Sequence, residues 1–273
     1  MNRIKDHFKK TTAMRDLKKY MVCALGAFLC FQASAAEEKT DEEREAFFKG
    51  WEYEVNAGLN IGGSSPIPLP AEIRKINSFD PRLNLQLGGN ATKWFTPDKK
   101  WGVSVGLRFE TKGMQTKATV KNYGMEIYDD GKKLKGRWTG RVQTKYHTQQ
   151  LAIPILAMLR VHRRTTLNLG PYVAWAFQND FNGFVSEGYL REGDPTGDKY
   201  VFEGDSRATY DFGEELRHFQ WGMQGGVSWM AYKHLSVNAN LVFGCNNIFK
   251  SSFKTISFNM YPIYLNVGFG YKF

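Results

Sequence analysis

The sequence predicts an all-β chain: an eight-stranded antiparallel up-and-down transmembrane β-barrel, with periplasmic termini and long extracellular loops. Three observations predict it. Apolar residues recur at every second position in eight separate segments, the connections between segments alternate long and short, and aromatic residues gather near the segment ends. The chain has 273 residues, 15% of them aromatic. Past the first forty or so it lacks the apolar run of about 20 residues that a spanning helix needs, so strands must do any crossing.

Residues 1–35 read as a signal peptide. Lys9, Lys10, Arg15, Lys18 and Lys19 precede the short apolar run Met21 to Phe31, and Ala33-Ser34-Ala35 gives the small-x-small pattern before a cleavage point. Met1 and Met14 both stand ahead of that run as starts. Cys30 follows Ala27-Phe28-Leu29 and lacks the small neighbour that lipidation requires. Cleavage after Ala35 leaves Cys245 as the last cysteine and forbids an internal disulfide. It also removes seven Lys/Arg and two Asp/Glu, leaving 30 against 25, so the formal charge falls from +10 to about +5. That weakens a nucleic-acid reading, and no nucleic acid is expected as a partner. Residues 36–50 form an acidic periplasmic lead, and 51–273 the barrel.

The expected strands follow in order. Trp51 to Gly62 sets Tyr53, Val55, Ala57, Leu59 and Ile61 against Glu54, Asn56, Gly58 and Asn60. Arg82 to Phe95 and Trp101 to about Lys117 repeat the pattern, the second with Val103, Val105, Leu107 and Phe109 opposite Ser104, Gly106, Arg108 and Glu110. Segments near 142–161, 166–178, 216–231 and 235–245 continue it. The last, Tyr261 to Phe273, places Ile263, Leu265, Val267, Phe269, Tyr271 and Phe273 on one face.

Short turns are expected at 96–100, 162–165 and 232–234, with longer loops at 63–80, 118–137, 179–212 and 246–257. Short periplasmic turns, long extracellular loops and an even strand number are the pattern of a barrel in the outer membrane. Trp94, Phe95, Trp101, Trp229, Tyr232, Tyr271 and Phe273 are expected to ring the periplasmic side, and Trp175, Phe177, Phe219, Trp221, Phe243 and Tyr261 the outer one.

Gln150-Leu151-Ala152-Ile153-Pro154-Ile155-Leu156, Gly170-Pro171-Tyr172-Val173 and the aromatic terminus resemble the PorT-like "porin family" of small outer-membrane β-barrel proteins, over about Trp51 to Phe273. The resemblance implies residence in the bacterial outer membrane, where a minority of such proteins serve a secretion apparatus. Tyr271 and Phe273 resemble the C-terminal signal read by the barrel-assembly machinery, which together with outer-membrane lipid is an expected partner.

Eight strands enclose a space that side chains fill. By parity Glu54, Arg108, Glu110 and Arg160 project into that polar interior. The expected function is a membrane-anchored structural or interaction barrel, linked to secretion or transport, that meets a ligand or protein partner through its extracellular loops. Tyr189, Tyr200, Phe202 and Tyr210 in the longest loop are the candidate recognition residues. No catalytic, cofactor or metal residues are assigned, and the scattered histidines lack ligand spacing. Two alternatives stay open. His234-Leu235-Ser236 resembles the His-x-Ser pair of lipid A deacylases, which would need the His as base for a Ser nucleophile. Gly50-Trp51 faintly resembles the opening of soluble lipocalin-like carriers.

Overall fold

The computed structural model describes residues 50–129, 132–193 and 196–273. The expected signal peptide, and the acidic lead up to residue 49, lie outside the described residues. From Gly50 the chain runs through ten strands: β1 (Trp51–Pro66), β2 (Ile73–Asp80), β3 (Leu85–Trp94), β4 (Trp101–Asp129), β5 (Lys132–His162), β6 (Thr165–Glu192), β7 (Lys199–Asp211), β8 (Phe219–Tyr232), β9 (Leu235–Gly244) and β10 (Met260–Lys272). A single helical turn, Gly213–Glu215, precedes β8.

All pairings are antiparallel. β1 pairs with β3, β3 with β4, β4 with β5, β5 with β6, β6 with β8, β8 with β9, β9 with β10, and β10 with β1 again. These pairings form a closed cycle, so the barrel strands have no open edge; an open edge would leave backbone groups unsatisfied in lipid. The closing seam runs from Glu54 opposite Lys272 to Pro66 opposite Met260.

Side-chain parity then divides the residues between lipid and lumen. On β4 Trp101, Val105, Leu107 and Phe109 stand exposed while Ser104, Arg108 and Glu110 are buried. The stretch from Trp101 to Phe109 matches the roughly 9–11 residues a tilted strand needs to cross a bilayer. Exposed apolar side chains at the same level on the other strands, such as Leu59, Leu169, Met223, Leu241 and Phe269, complete a belt. Left in water, so large an apolar surface would drive aggregation; facing lipid, it is what a barrel presents to the bilayer.

Gly58 and Gly268 face each other across the seam. A Cβ on Gly58 would lie 2.6 Å from the Val267 carbonyl oxygen, and one on Gly268 would strike the Ala57 carbonyl. A side chain at either position therefore forces the two strands apart. Gly268→Val is expected to lower the fraction of chain that migrates as the compact, heat-modifiable form on a denaturing gel, whereas Val267→Leu on the lipid side should leave it unchanged.

The main departures from the sequence reading lie at the end away from Trp51 and Phe273. The expected loop at 63–80 contains β2, which pairs along β4. Residues 118–129 and 132–137 continue β4 and β5, paired out to Asp129 opposite Lys132. Within 179–212, residues 179–192 continue β6 and 199–211 form β7, which joins β6. These strands surround an apolar core that includes Met125, Ile127, Trp138, Phe181, Val185, Leu190, Phe212, Leu216 and Ile248. The barrel thus carries a folded extension beyond its belt. Trp94 is also corrected: it is buried in the interior under Arg160, 4.4 Å from its ring, and does not belong to the periplasmic girdle.

Candidate functional site

The lumen is filled by ion pairs and amides in successive layers. At the end bearing Trp51 and Phe273, Lys272 Nζ lies 3.2 Å from Glu52 and 3.7 Å from Glu54. Arg160 and Lys99 approach Glu52 at 3.5 Å and 3.6 Å. Glu54 accepts hydrogen bonds from Ser236 Oγ at 3.0 Å and Asn238 Nδ2 at 2.7 Å. Further in, Gln86 Nε2 donates to Asn56 Oδ1 at 2.7 Å and Asn266 Nδ2 to Asn60 Oδ1 at 2.9 Å. Arg108 Nη1 donates to Gln224 Oε1 at 3.0 Å. The cavity among these groups measures about 30 Å³, space for a water or two.

The innermost charges sit on consecutive inward positions of β4. Glu110 pairs with Lys112 at 2.9 Å and accepts a 2.6 Å hydrogen bond from Gln150 Nε2. Lys112 is fully buried, and its ammonium lies 5.2 Å and 5.5 Å from the Tyr172 and Tyr264 rings. Two charges out of water persist only with such dense partnering. Above them the lumen lining turns apolar at Met114 and Tyr146, which belong to the core of the extension.

Each residue singled out from the sequence can now be located. Glu54, Arg108, Glu110 and Arg160 all lie in this luminal network. Tyr271 and Phe273 stand exposed at the barrel's lower rim with rings 5.1 Å apart, and the Phe273 N–H donates to the Tyr53 carbonyl at 2.9 Å. The four recognition candidates separate. Phe202 and Tyr210 are each only 2% exposed and are corrected to core residues: Phe202 packs edge-on against Trp138 at 5.5 Å, and Tyr210 hydrogen-bonds Thr144 at 2.7 Å. Burial pushes the Tyr210 phenol far above its ordinary range. Tyr200 and Tyr189 remain on the surface. The Tyr200 hydroxyl donates to Glu192 at 3.1 Å, which raises the Tyr200 phenol above its ordinary value.

Around Tyr189 the register assembles a basic row. Arg137 on β5 opposes Arg191 on β6, which in turn opposes Lys199 on β7. Lys199 and Arg191 lie 4.6 Å and 5.9 Å from the Tyr189 ring. Like charges set directly across strands repel, so such a row favours an anionic visitor.

Sequence reasoning missed Lys112, Glu52 and Lys272, although a signal was present. Lys112 continues the 108, 110 parity, and Lys272 alternates with Tyr271. The His234-x-Ser236 pair is not assembled as a nucleophile and base. Ser236 faces the lumen toward Glu54, while His234 stacks on Tyr271 at 5.4 Å and its Nδ1 meets the Lys272 carbonyl at 2.7 Å. Among the described residues no group of three or more His, Cys, Asp or Glu is placed to hold a metal ion.

A closed cycle of antiparallel strands, belted in apolar side chains and packed with polar ones, defines an integral β-barrel of the bacterial outer membrane. The chain belongs to the family described as the outer membrane protein beta-barrel domain, whose model matches residues 32–250. No curated protein matches the chain. Among solved structures, Ail of Yersinia pestis, crystallised with the heparin analogue sucrose octasulfate, is similar at 10% identity and TM-score 0.38, over 82% of this chain and 99% of its own. OprG of Pseudomonas aeruginosa is similar at 17% identity and TM-score 0.36, over 82% and 97%. Neisserial surface protein A is similar at 11% identity and TM-score 0.34, over 82% and 98%.

Proposed function

We propose that the protein is a non-enzymatic, membrane-anchored interaction barrel whose folded extension meets an anionic ligand or partner outside the cell. The observation that carries this reading is the division of the molecule: a lumen filled by charged and amide side chains beneath, and strands continued into an apolar-cored platform above. A channel needs a continuous wet path, and the layers from Glu52 to Lys112 followed by the core around Tyr146 occupy that space. A recognition platform needs stiffness, which the paired continuations of β4, β5, β6 and β7 supply. The row of Arg137, Arg191 and Lys199 beside Tyr189 is its contact surface.

Liposome swelling tests the reading. Vesicles carrying the purified protein should swell in small sugars no faster than protein-free vesicles, and porin-like swelling would overturn the closed lumen. The PorT-like affiliation, with service to a secretion apparatus, is a finer form of the same reading and rests on 150–156 and 170–173. Ser236→Ala is expected to leave the acyl composition of outer-membrane lipid unchanged, because its hydroxyl is committed to Glu54. Assembly uses the terminal aromatics: removing Phe273 should reduce the amount recovered in the outer membrane several-fold without changing total synthesis.

A further inference from the structure

A cleft of about 420 Å³ opens in the extension beside the β9–β10 connection, sharing no lining residue with the luminal cavity and not lined by Tyr189. Its cations are Arg217, Lys250 and Lys254, and no carboxylate lines it. Phe253, Phe258 and Tyr261 supply apolar wall, and Asn247, Asn259, Ser251 and Ser257 supply neutral polar groups.

The cations are held differently. Arg217 is half-buried, with Nε donating to the Phe249 carbonyl at 2.7 Å and Nη2 to Ser251 Oγ at 2.6 Å. Those contacts fix the guanidinium without neutralising it. Lys250 Nζ donates to the Glu214 carbonyl, again a neutral acceptor. Among the described residues none of the three makes an ion pair with a carboxylate. Three cations without an ion pair around one concave surface, with the Arg217 guanidinium held in place, favour a compact polyvalent oxyanion.

The level of the cleft narrows the choice. Tyr261 lines it and stacks on Phe243 at 6.4 Å, and Phe243 is part of the lipid-facing belt, opposite Ile263. The cleft therefore begins where the apolar belt ends, at head-group height. We infer that it binds the phosphate-bearing head group of an outer-leaflet lipid, the phosphate meeting Arg217, Lys250 and Lys254 while the sugar or glycerol body lies against Phe253, Phe258 and Tyr261. This goes beyond the closed-lumen reading and stands whether or not the lumen conducts.

Native mass spectrometry of the full-length protein in neutral detergent, titrated with lipid A and with enzymatically dephosphorylated lipid A, tests it. The phosphorylated lipid should bind at least about tenfold more tightly, as expected when charge-assisted hydrogen bonds are lost. Lys250→Gln/Lys254→Gln should erase that preference while keeping the heat-modifiable gel form, and Lys117→Gln/Lys121→Gln, elsewhere on the extension, should keep it. Equal binding of both lipids, or an unaltered preference in the cleft variant, would overturn the inference. Full displacement of the lipid by millimolar inorganic phosphate would assign the cleft to a soluble anion and overturn the lipid source.

Discussion

Replacing Lys112 by Ala should destabilise the barrel by about 3–5 kcal/mol, the range for breaking a buried ion pair from one side. Lys112 is fully buried and faces Glu110 at 2.9 Å inside the lumen. Without it the Glu110 carboxylate keeps the Gln150 hydrogen bond but loses its adjacent cation, and the Tyr172 and Tyr264 rings lose theirs. Arg108 is the other luminal cation on this strand, and its Nη1 is engaged with Gln224. Urea-induced unfolding from lipid vesicles, followed by tryptophan fluorescence, measures the loss. Removing both charges as Glu110→Leu/Lys112→Met should recover part of it, because neither member of the pair is then left alone, while Arg108 still loses the neighbouring Glu110 charge and Gln150 its acceptor. Equal losses in the single and double variants would show that volume, not charge, sets the stability here.

Phe181→Ala should cost about 3–5 kcal/mol, the usual range for deleting a buried aromatic ring, and the loss should be confined to the extension. The Phe181 ring lies 5.0 Å from Phe249, 6.3 Å from Tyr146 and from Phe212, and 6.5 Å from Tyr210. It therefore ties β6 to β5, to the end of β7 and to the β9–β10 connection. None of these ring partners belongs to the belt or to a luminal ion pair. Limited proteolysis should cut the variant within the extension far faster than wild type while leaving a protected barrel fragment. A variant that loses the heat-modifiable form altogether would show that barrel and extension fold as one cooperative unit.

The barrel strands were legible because lipid and lumen impose opposite chemistry on alternate residues, and the eight segments record it directly. The luminal charges were legible for the same reason: Arg108 and Glu110 differ by two positions and share a face. The extension was not, because its register breaks the alternation. On β4 buried Val120 gives way to buried Met125 and Ile127 across a bulge, with Asn122 at a φ of 57°, so inward positions change from even to odd. On β6 a second shift falls at Ser186/Gly188, where Glu187 has a φ of 50°. Read without those bulges, the stretches look like charged loops. Phe202 and Tyr210 then pass for surface aromatics, when their alternation with Glu203, Arg207 and Asp211 marks an inward face. The cleft of Arg217, Lys250 and Lys254 left no sequence pattern, since two separate connections bring its cations together.

Cysteine accessibility on intact cells tests the central claim most directly, namely that the extension stands outside the cell above a lipid-embedded barrel. In a Cys245→Ser background, Tyr200→Cys places a thiol on the extension, Asp98→Cys places one in the short β3–β4 turn, and Leu169→Cys places one in the belt. A membrane-impermeant maleimide should label the first on intact cells, the second only after the outer membrane is opened, and the third in neither case. Labelling of Asp98→Cys but not Tyr200→Cys on intact cells would invert the topology, and labelling of Leu169→Cys would contradict a lipid-embedded belt.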